Sequence, residues 1–385
     1  MKVSSDLVIP AASAAELAEI ASWDGFRPAT FPASEFPVDV VRLDGSSSPP
    51  VVLSRAKRAE SLKALPGSLR SRAQEAFDRA RQRPEKLLLG HGRSLDISQA
   101  PAVMGILNVT PDSFSDGGLF LDAGRAVEWA LAMFEDGAAI VDVGGESTRP
   151  ATYGQSAPVS AEEELRRVIP VLEGIRAHSD KPLSIDTRRA AVAREALAAG
   201  ADLVNDVSAF RFDPGMASAV AASGAGAILM HMKGTDPRTM QIDVSYPHPL
   251  AEIASHLAAA LSAAMEAGIN AGRLAVDPGL GFGKSPEGNL VLLRYLAAFR
   301  SLGFPLAAGA SRKAFVRRFS GVPETATSAE RLPGSLACLG AASRAGASIL
   351  RVHDVAESVR FLRMLAAVET PAAKTSRPPV AAAAP

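Results

Sequence analysis

Residues 102–118 read AVMGILNVTPDSFSDGG. A short apolar run stops at Asn108 and Val109, and the remaining residues are polar or small apart from Phe114, with one proline and two adjacent glycines. Such a run reads as a buried strand delivered into a polar loop. The pattern recurs as AAIVDVGG (138–145), KPLSIDT (181–187), ADLVNDV (201–207), GAILMHM (226–232), RLAVDPG (273–279), FPLAAGASR (304–312) and SILRVHD (348–354), eight runs in all. Between them lie Ala-rich segments with apolar residues at helical spacing, at 122–136, 188–199, 249–268 and 328–345. SAEE at 160–163 predicts a capping box, with Ser160 capping and Glu163 reaching back, ahead of a Val168, Ile169 and Leu172 stripe.

Near-continuously apolar strands alternating with helices predict a parallel sheet covered by helices. Eight units over about 265 residues match a (β/α)₈ TIM barrel. A doubly wound open sheet is the rival, and the even spacing favours closure.

Residues 1–98 break this rhythm and predict a mainly helical N-terminal extension, with the barrel at 99–367 and a disordered tail at 368–385, where the sequence turns Pro/Ala-rich. SAAE at 13–16 opens a short helix with Leu17 and Ile20 on one face, and ALPGSL at 64–69 breaks a second helical region. Residues 55–86 hold ten Lys/Arg against four Asp/Glu, with an apolar stripe of Ala73, Ala76, Phe77 and Ala80. That helix packs on the barrel or a neighbouring subunit, or docks an acidic partner; the sequence favours packing.

Basic and acidic residues balance at 41 each, so no global field attracts nucleic acid or a membrane. Aromatics are only 5%, so the core is built from Ala, Val, Leu and Ile. The single cysteine, Cys338, excludes an intrachain disulfide and a zinc cluster, and its helical setting reads as packing. The N-terminus lacks the build of a signal peptide, and no stretch approaches the roughly 18 apolar residues of a membrane helix. The expectation is a cytoplasmic protein.

In such a barrel the chemistry gathers at the C-terminal ends of the strands. Every run here ends in polar residues: Asn108, GGESTRP (144–150), Asp186, Asn205 with Asp206, His231, DPGLGFGK (277–284), SRK (311–313) and RVHD (351–354). Each alone suits a turn; all eight would converge on one mouth. Asp186, Asp277 and Asn205 suit a flat heterocycle with several N–H donors. Arg149, Lys313, Arg351 and His353 suit phosphate oxygens, and Asn108 suits a hard cation held mainly by those phosphates. DPGLGFGKS fails as a P-loop because Pro278 stands where the first glycine is needed, and His231 has no partner at metal-ligand spacing.

MGILNVTPDSFSDGG and VDVGGESTRP resemble the two signatures of dihydropteroate synthases, and SIDT, NDV, LMHMKG, DPGLGFGK, SRK, GSLA and RVHD come in that family's order over roughly residues 101–366. The resemblance implies condensation of 6-hydroxymethyl-7,8-dihydropterin diphosphate with p-aminobenzoate to 7,8-dihydropteroate and diphosphate, a step of folate biosynthesis. It also implies that Asp186, Asn205, Asp277 and Lys313 hold the pterin, that Asn108 ligates Mg²⁺, and that Arg351 and His353 anchor the diphosphate. Asp112, Ser113 and Phe114 fall in one mobile loop and Thr148 and Arg149 in another. These loops complete the p-aminobenzoate pocket beside Phe282, with Asp112, Thr148, Arg149, Lys313 and Arg351 as the reacting set. Relatives are commonly homodimers through the last helices. Two departures stand out: Ala314 comes after SRK where many relatives have Ser, and the extension is longer than a minimal lead-in. A pterin-dependent methyltransferase or a non-catalytic pterin-binding paralogue are the alternatives; the complete lid, SRK and RVHD set argues against the first, and the retention of Asn108, Arg149, Lys313 and Arg351 against the second.

Overall fold

The computed structural model describes residues 2–11, 13–24, 38–43, 50–110, 123–146 and 159–370. Strands β1 (Leu7–Ala11), β2 (Val38–Arg42) and β3 (Val51–Ser54) form an antiparallel sheet in the order β1-β2-β3. Helices span 14–24, 58–63 and 67–81, and β4 (Lys86–Leu88) pairs with β5 (Ser94–Asp96) as a hairpin. Then come β6 (Ala102–Asn108), β7 (Ile140–Gly144), β8 (Leu183–Asp186), β9 (Leu203–Asp206), β10 (Gly226–Met230), β11 (Leu274–Asp277), β12 (Ala307–Ala308) and β13 (Ile349–Val352). All eight are parallel, in the order β11-β10-β9-β8-β7-β6-β13-β12, and a parallel bridge between Val276 and Leu306 joins the two ends into a ring. The expected barrel is present, and each expected strand run holds one strand. Helices at 123–135, 190–198, 249–266 and 328–344 lie where the spacing placed them. Among the described residues no helix is long and apolar enough to cross a membrane.

Alternation along the strands sorts side chains into two sets. The outward set, including Val103, Val141, Val143, Ile185, Val204, Leu229 and Val276, joins the helices in one large core. The inward set, including Met104, Ile140, Leu203, Ile228, Ala275, Ala307 and Ile349, forms a separate cluster with Leu87, Leu89, Leu95 and Ile97 of the hairpin. The hairpin therefore plugs the floor of the barrel. Two residues further along the same strands, the inward positions are Asp142, Asn205, Asp277 and Arg351. The strand period that fills the floor with aliphatic groups thus sends polar ones to the opposite end.

The extension contains the expected helices together with the three-stranded sheet, which the sequence reading did not place. Ser13 Oγ accepts from Glu16 N at 3.3 Å, and Leu17 and Ile20 are buried. The Ala73, Ala76 and Phe77 stripe packs on Val8, Val41, Leu43, Leu53 and Leu62 of the extension itself. Docking to the barrel is polar as well as apolar. Val8 N donates to Ser301 Oγ at 3.0 Å, Arg79 Nε donates to Ser301 O at 2.6 Å, and Glu19 takes Tyr295 Oη at 2.7 Å and Arg294 at 2.8 Å. Ser160 does cap helix 161–176, but Glu163 does not reach back; its carboxylate is held by Arg166 and Arg167 on the same helix face. The final helix runs from Val355 to Glu369, and residues 371–385, most of the expected tail, lie outside the described residues.

Candidate active site

At the centre of the mouth Arg351 reaches across the barrel from β13. Its Nε donates to Asp142 Oδ2 at 2.6 Å and its Nη2 to Asp186 Oδ2 at 2.7 Å. Asn205 Nδ2 donates to the same Asp142 oxygen at 2.9 Å. Asp142 is fully buried, whereas the Asp186 side chain keeps 12% exposure and the Arg351 side chain 22%. Burial pushes the Asp186 carboxyl up to about 7 against the pull of Arg351. Burial also works against the Arg351 charge, but Asp142 and Asp186 outweigh it and hold the guanidinium firmly cationic. Asp206, the neighbour of Asn205, is turned to structure: it accepts from Ser208 N and Oγ, both at 2.7 Å, and from Phe210 N at 3.0 Å.

The DPGLGFGK loop forms the facing wall. Asp277 Oδ1 accepts from Gly279 N at 2.7 Å, and burial raises the Asp277 carboxyl against the pull of Lys313. Gly279 has φ +71° and a Cβ there would lie 2.0 Å from His231 O; at Gly281, φ +83°, a Cβ would meet Lys313 Cδ at 2.8 Å. Only glycine permits these turns and this approach. Lys313 Nζ donates to Leu280 O and lies 4.6 Å from the centroid of the Phe282 ring. Burial lowers the Lys313 ammonium to about 8 although Asp277 opposes the shift. Val207, Met230, Met232 and Met240 form an apolar cluster against Phe282.

Behind this wall, Lys284 is only 4% exposed. Its Nζ meets His231 Nδ1 at 3.0 Å, His231 O at 3.2 Å, Gly279 O at 2.8 Å and Phe282 O at 2.9 Å. His231 packs edge-on to His256 at 4.8 Å, and burial with the Lys284 charge holds its imidazole neutral. This packing gives His231 a structural role, in keeping with its lack of a partner at metal-ligand spacing.

The ends of β12 and β13 interlock. Ser311 Oγ lies 3.1 Å from His353 Nδ1, and Arg312 Nε donates to Asp354 Oδ2 at 3.1 Å. The pairing of SRK with RVHD sets Lys313 and Arg351 side by side. Asn108 ends β6 beside Asp186: a Cβ on Gly144 would lie 3.8 Å from Asn108 Oδ1 and 3.7 Å from Asp186 Oδ2. Among the described residues no group of three or more His, Cys, Asp or Glu side chains could hold a metal ion. An amide oxygen beside one carboxylate fits a hard cation only as a minor part of its shell, most of which would have to come from water or a ligand.

The structure thus brings together Asn108, Asp186, Asn205, Asp277, Phe282, Lys313, Arg351 and His353. Asp112, Ser113, Phe114, Thr148 and Arg149 lie outside the described residues. Two groups escaped the sequence reading. Asp142 is an acid between Val141 and Val143 in a strand buried on both faces, and such an acid requires a cationic or N–H partner. Lys284 sits in a stretch whose only local signal is the failed P-loop. Arg189 forms a further polar tie, from Glu146 Oε2 at 2.7 Å to Val159 O at 2.6 Å.

Residues 104–353 match the model of the pterin binding enzyme family. The dihydropteroate synthase of Escherichia coli K12 is 44% identical over 280 residues, covering 73% of this chain and 95% of that protein. The Xanthomonas albilineans dihydropteroate synthase solved with 4-aminobenzoic acid is 43% identical with a TM-score of 0.68, covering 75% of this chain and 100% of that one. The same enzyme solved in complex with 7,8-dihydropteroate gives 42% identity and a TM-score of 0.65, covering 74% of this chain and 100% of that one. With the barrel, the mouth and these matches in agreement, the chain belongs to the pterin-binding enzyme family, among its dihydropteroate synthases.

Proposed function

We propose that the chain joins 6-hydroxymethyl-7,8-dihydropterin diphosphate to p-aminobenzoate, giving 7,8-dihydropteroate and diphosphate. The carrying observation is the convergence of Asp186, Asp142, Asn205 and Arg351 in one hydrogen-bonded set at the barrel mouth, with Asp277 and Lys313 coupled to it. Asp277 and Asp186 accept from the ring N–H and amino groups, Asn205 serves either sense, and Lys313 donates to the ring carbonyl side. Phe282 and its methionine cluster supply a dry wall for the aryl amine.

The reaction breaks the bond from the pterin methylene carbon to the diphosphate oxygen, and the amine lone pair forms the new C–N bond. Arg351 and His353 stabilise the departing negative charge, while the buried carboxylates favour the electron-poor pterin. Asn108 would hold Mg²⁺, which when bound supplies further positive charge against the leaving group. The aryl amine attacks neutral, and the proton its nitrogen then sheds passes to the departing diphosphate or to water, so no strong base is needed. A cytoplasmic homodimer through the last helices belongs to the same reading; helix 355–369 leaves Met364 and Val368 64% and 66% exposed.

The test is diphosphate release by the purified chain with Mg²⁺ and the pterin diphosphate, with and without p-aminobenzoate. Release that requires the amine and matches dihydropteroate formation is expected. Pterin binding with no turnover would move the chain to the non-catalytic class.

The pH profile is a second check. Asp186 accepts only as a carboxylate, so kcat/KM should fall as pH drops through about 7. Lys313 donates as an ammonium, so kcat/KM should fall again as pH rises past about 8. The expected profile is a narrow bell. Lys313→Met should lower it throughout and flatten the alkaline limb; an alkaline limb that stays in place would remove Lys313 from the reacting set.

A further inference from the structure

A second cluster of cationic side chains lies at the opposite end of the barrel. Where the extension meets the barrel floor there is a cleft with a volume of about 90 Å³. Its wall comes from the link between helix 67–81 and the hairpin, from the residues leading into β6, and from the segments before β12 and β13. Six polar side chains in that wall, Gln82, Arg83, Gln99, Arg300, Ser343 and Ser348, have no hydrogen bond or ion pair among the described residues. No carboxylate lines the cleft. Asp96, close by in sequence, already accepts from Ser98 N at 2.9 Å and Ser98 Oγ at 2.7 Å.

Arg300 makes a close approach to the barrel backbone. Its side chain lies over Gly346, where a Cβ would stand 3.0 Å from Cδ, 3.1 Å from Nε and 3.4 Å from Cζ. Any other residue at 346 would push the guanidinium away, and Gly346 has φ +88° besides. Arg300 is half-buried and shares the cleft with the exposed Arg83. Burial and the Arg83 charge both lower the Arg300 pKa, so the two guanidiniums repel and neither has an acid to offset it. Unmatched like charges in a partly dry cleft are unfavourable, and an anion between them removes the conflict.

We propose that this cleft binds a phosphate group, either the free ion or the end of a phosphate ester. Two guanidiniums can present paired N–H groups to its oxygens, and the serine hydroxyls and glutamine amides can complete the shell. The cleft has room for several waters, and so for a phosphate group. An ester's remainder would extend into solvent past Arg83. Because Arg83 belongs to the extension and Arg300 to the barrel, the bound group ties the two together at a point remote from the mouth.

The experiment is hydrogen exchange on the full chain, read at residues 82–101 and 343–348. Orthophosphate and a simple phosphate monoester are added separately at millimolar concentration, with acetate at matched ionic strength as control. Local reading is needed because phosphate also suits Arg351 at the mouth. Protection by orthophosphate supports the free ion, and protection by the monoester alone supports an ester. Arg83→Gln removes an exposed side chain with no partner among the described residues, so it should leave folding and basal turnover intact. Its apparent Kd should weaken by roughly tenfold or more, the usual loss for a charge-assisted hydrogen bond. Arg300→Gln should do the same. No protection in either segment, protection unchanged in Arg83→Gln, or equal protection by acetate would each overturn the proposal.

Discussion

Arg351→Met should lower kcat/KM by about a thousandfold, the upper range for losing one preorganised charge that faces a developing anion. It should also destabilise the fold by about 3 kcal/mol, because removing one partner of a buried pair leaves the other charge uncompensated. The structural cause is specific. Arg351 is the sole cationic partner of fully buried Asp142 among the described residues, and it holds Asp186 as well. Loss of the guanidinium therefore damages binding and stability through different atoms, and the two effects can be separated. Adding Asp142→Asn to Arg351→Met removes the orphaned charge while leaving an amide oxygen for Asn205. Chemical denaturation should show most of the stability returning in the double variant, with kcat/KM still low. Recovery of neither would mean Asp142 is not the seat of the destabilisation. If Arg351→Met stayed within tenfold of the parent in kcat/KM, the diphosphate grip assigned to it would be wrong.

How much of the barrel and its mouth is legible in the sequence depends on the same geometry. A parallel strand covered on both faces must be apolar almost throughout, so each of the eight strands stands out as a run. Its last inward residue is freed from that demand, so Asp186, Asn205, Asp277 and Arg351 show as polar punctuation at predictable places. Asp142 sits one inward position before the end of its strand, hidden inside IVDVGG. Only its pairing with Arg351, 209 residues away, explains it. The extension is opaque for a related reason. Its first strand pairs Leu7 with Arg42, a contact no local period encodes. The Ala73, Ala76 and Phe77 stripe announces a buried face without naming the surface that covers it. Likewise the SAEE box predicts Ser160 correctly, but Arg167 one turn on competes for Glu163 at 2.8 Å.

Lys284→Met should weaken binding of the pterin diphosphate by roughly a hundredfold, equivalent to about 2.7 kcal/mol. The expectation rests on what the Lys284 amine holds together, a group that burial pushes well below the usual lysine range. Four acceptors meet at Nζ: one imidazole nitrogen and the carbonyls of His231, Gly279 and Phe282. Methionine matches the length of lysine but donates nothing, and each buried carbonyl left unpaired costs about 1–3 kcal/mol. Relief must come from loop movement, since Gly279 is already packed against His231 O. That movement reaches the site along two routes. Gly279 N fixes Asp277 Oδ1, and Leu280 O, between the two caged carbonyl residues, receives Lys313. Lys284 is thus a positioning residue, acting through Asp277 and Lys313 without touching substrate. A general loss of stability could imitate the effect, so binding is measured by calorimetry at a temperature where circular dichroism shows the variant folded. The alkaline limb of the pH profile gives an independent readout: a displaced Leu280 carbonyl changes the surroundings of Lys313 and should move that limb from about 8. A folded variant with unchanged pterin affinity and an unmoved limb would reduce Lys284 to a packing element. A folded variant with weak affinity and a shifted limb would place the organising centre of the pterin site in a lysine outside the binding set itself.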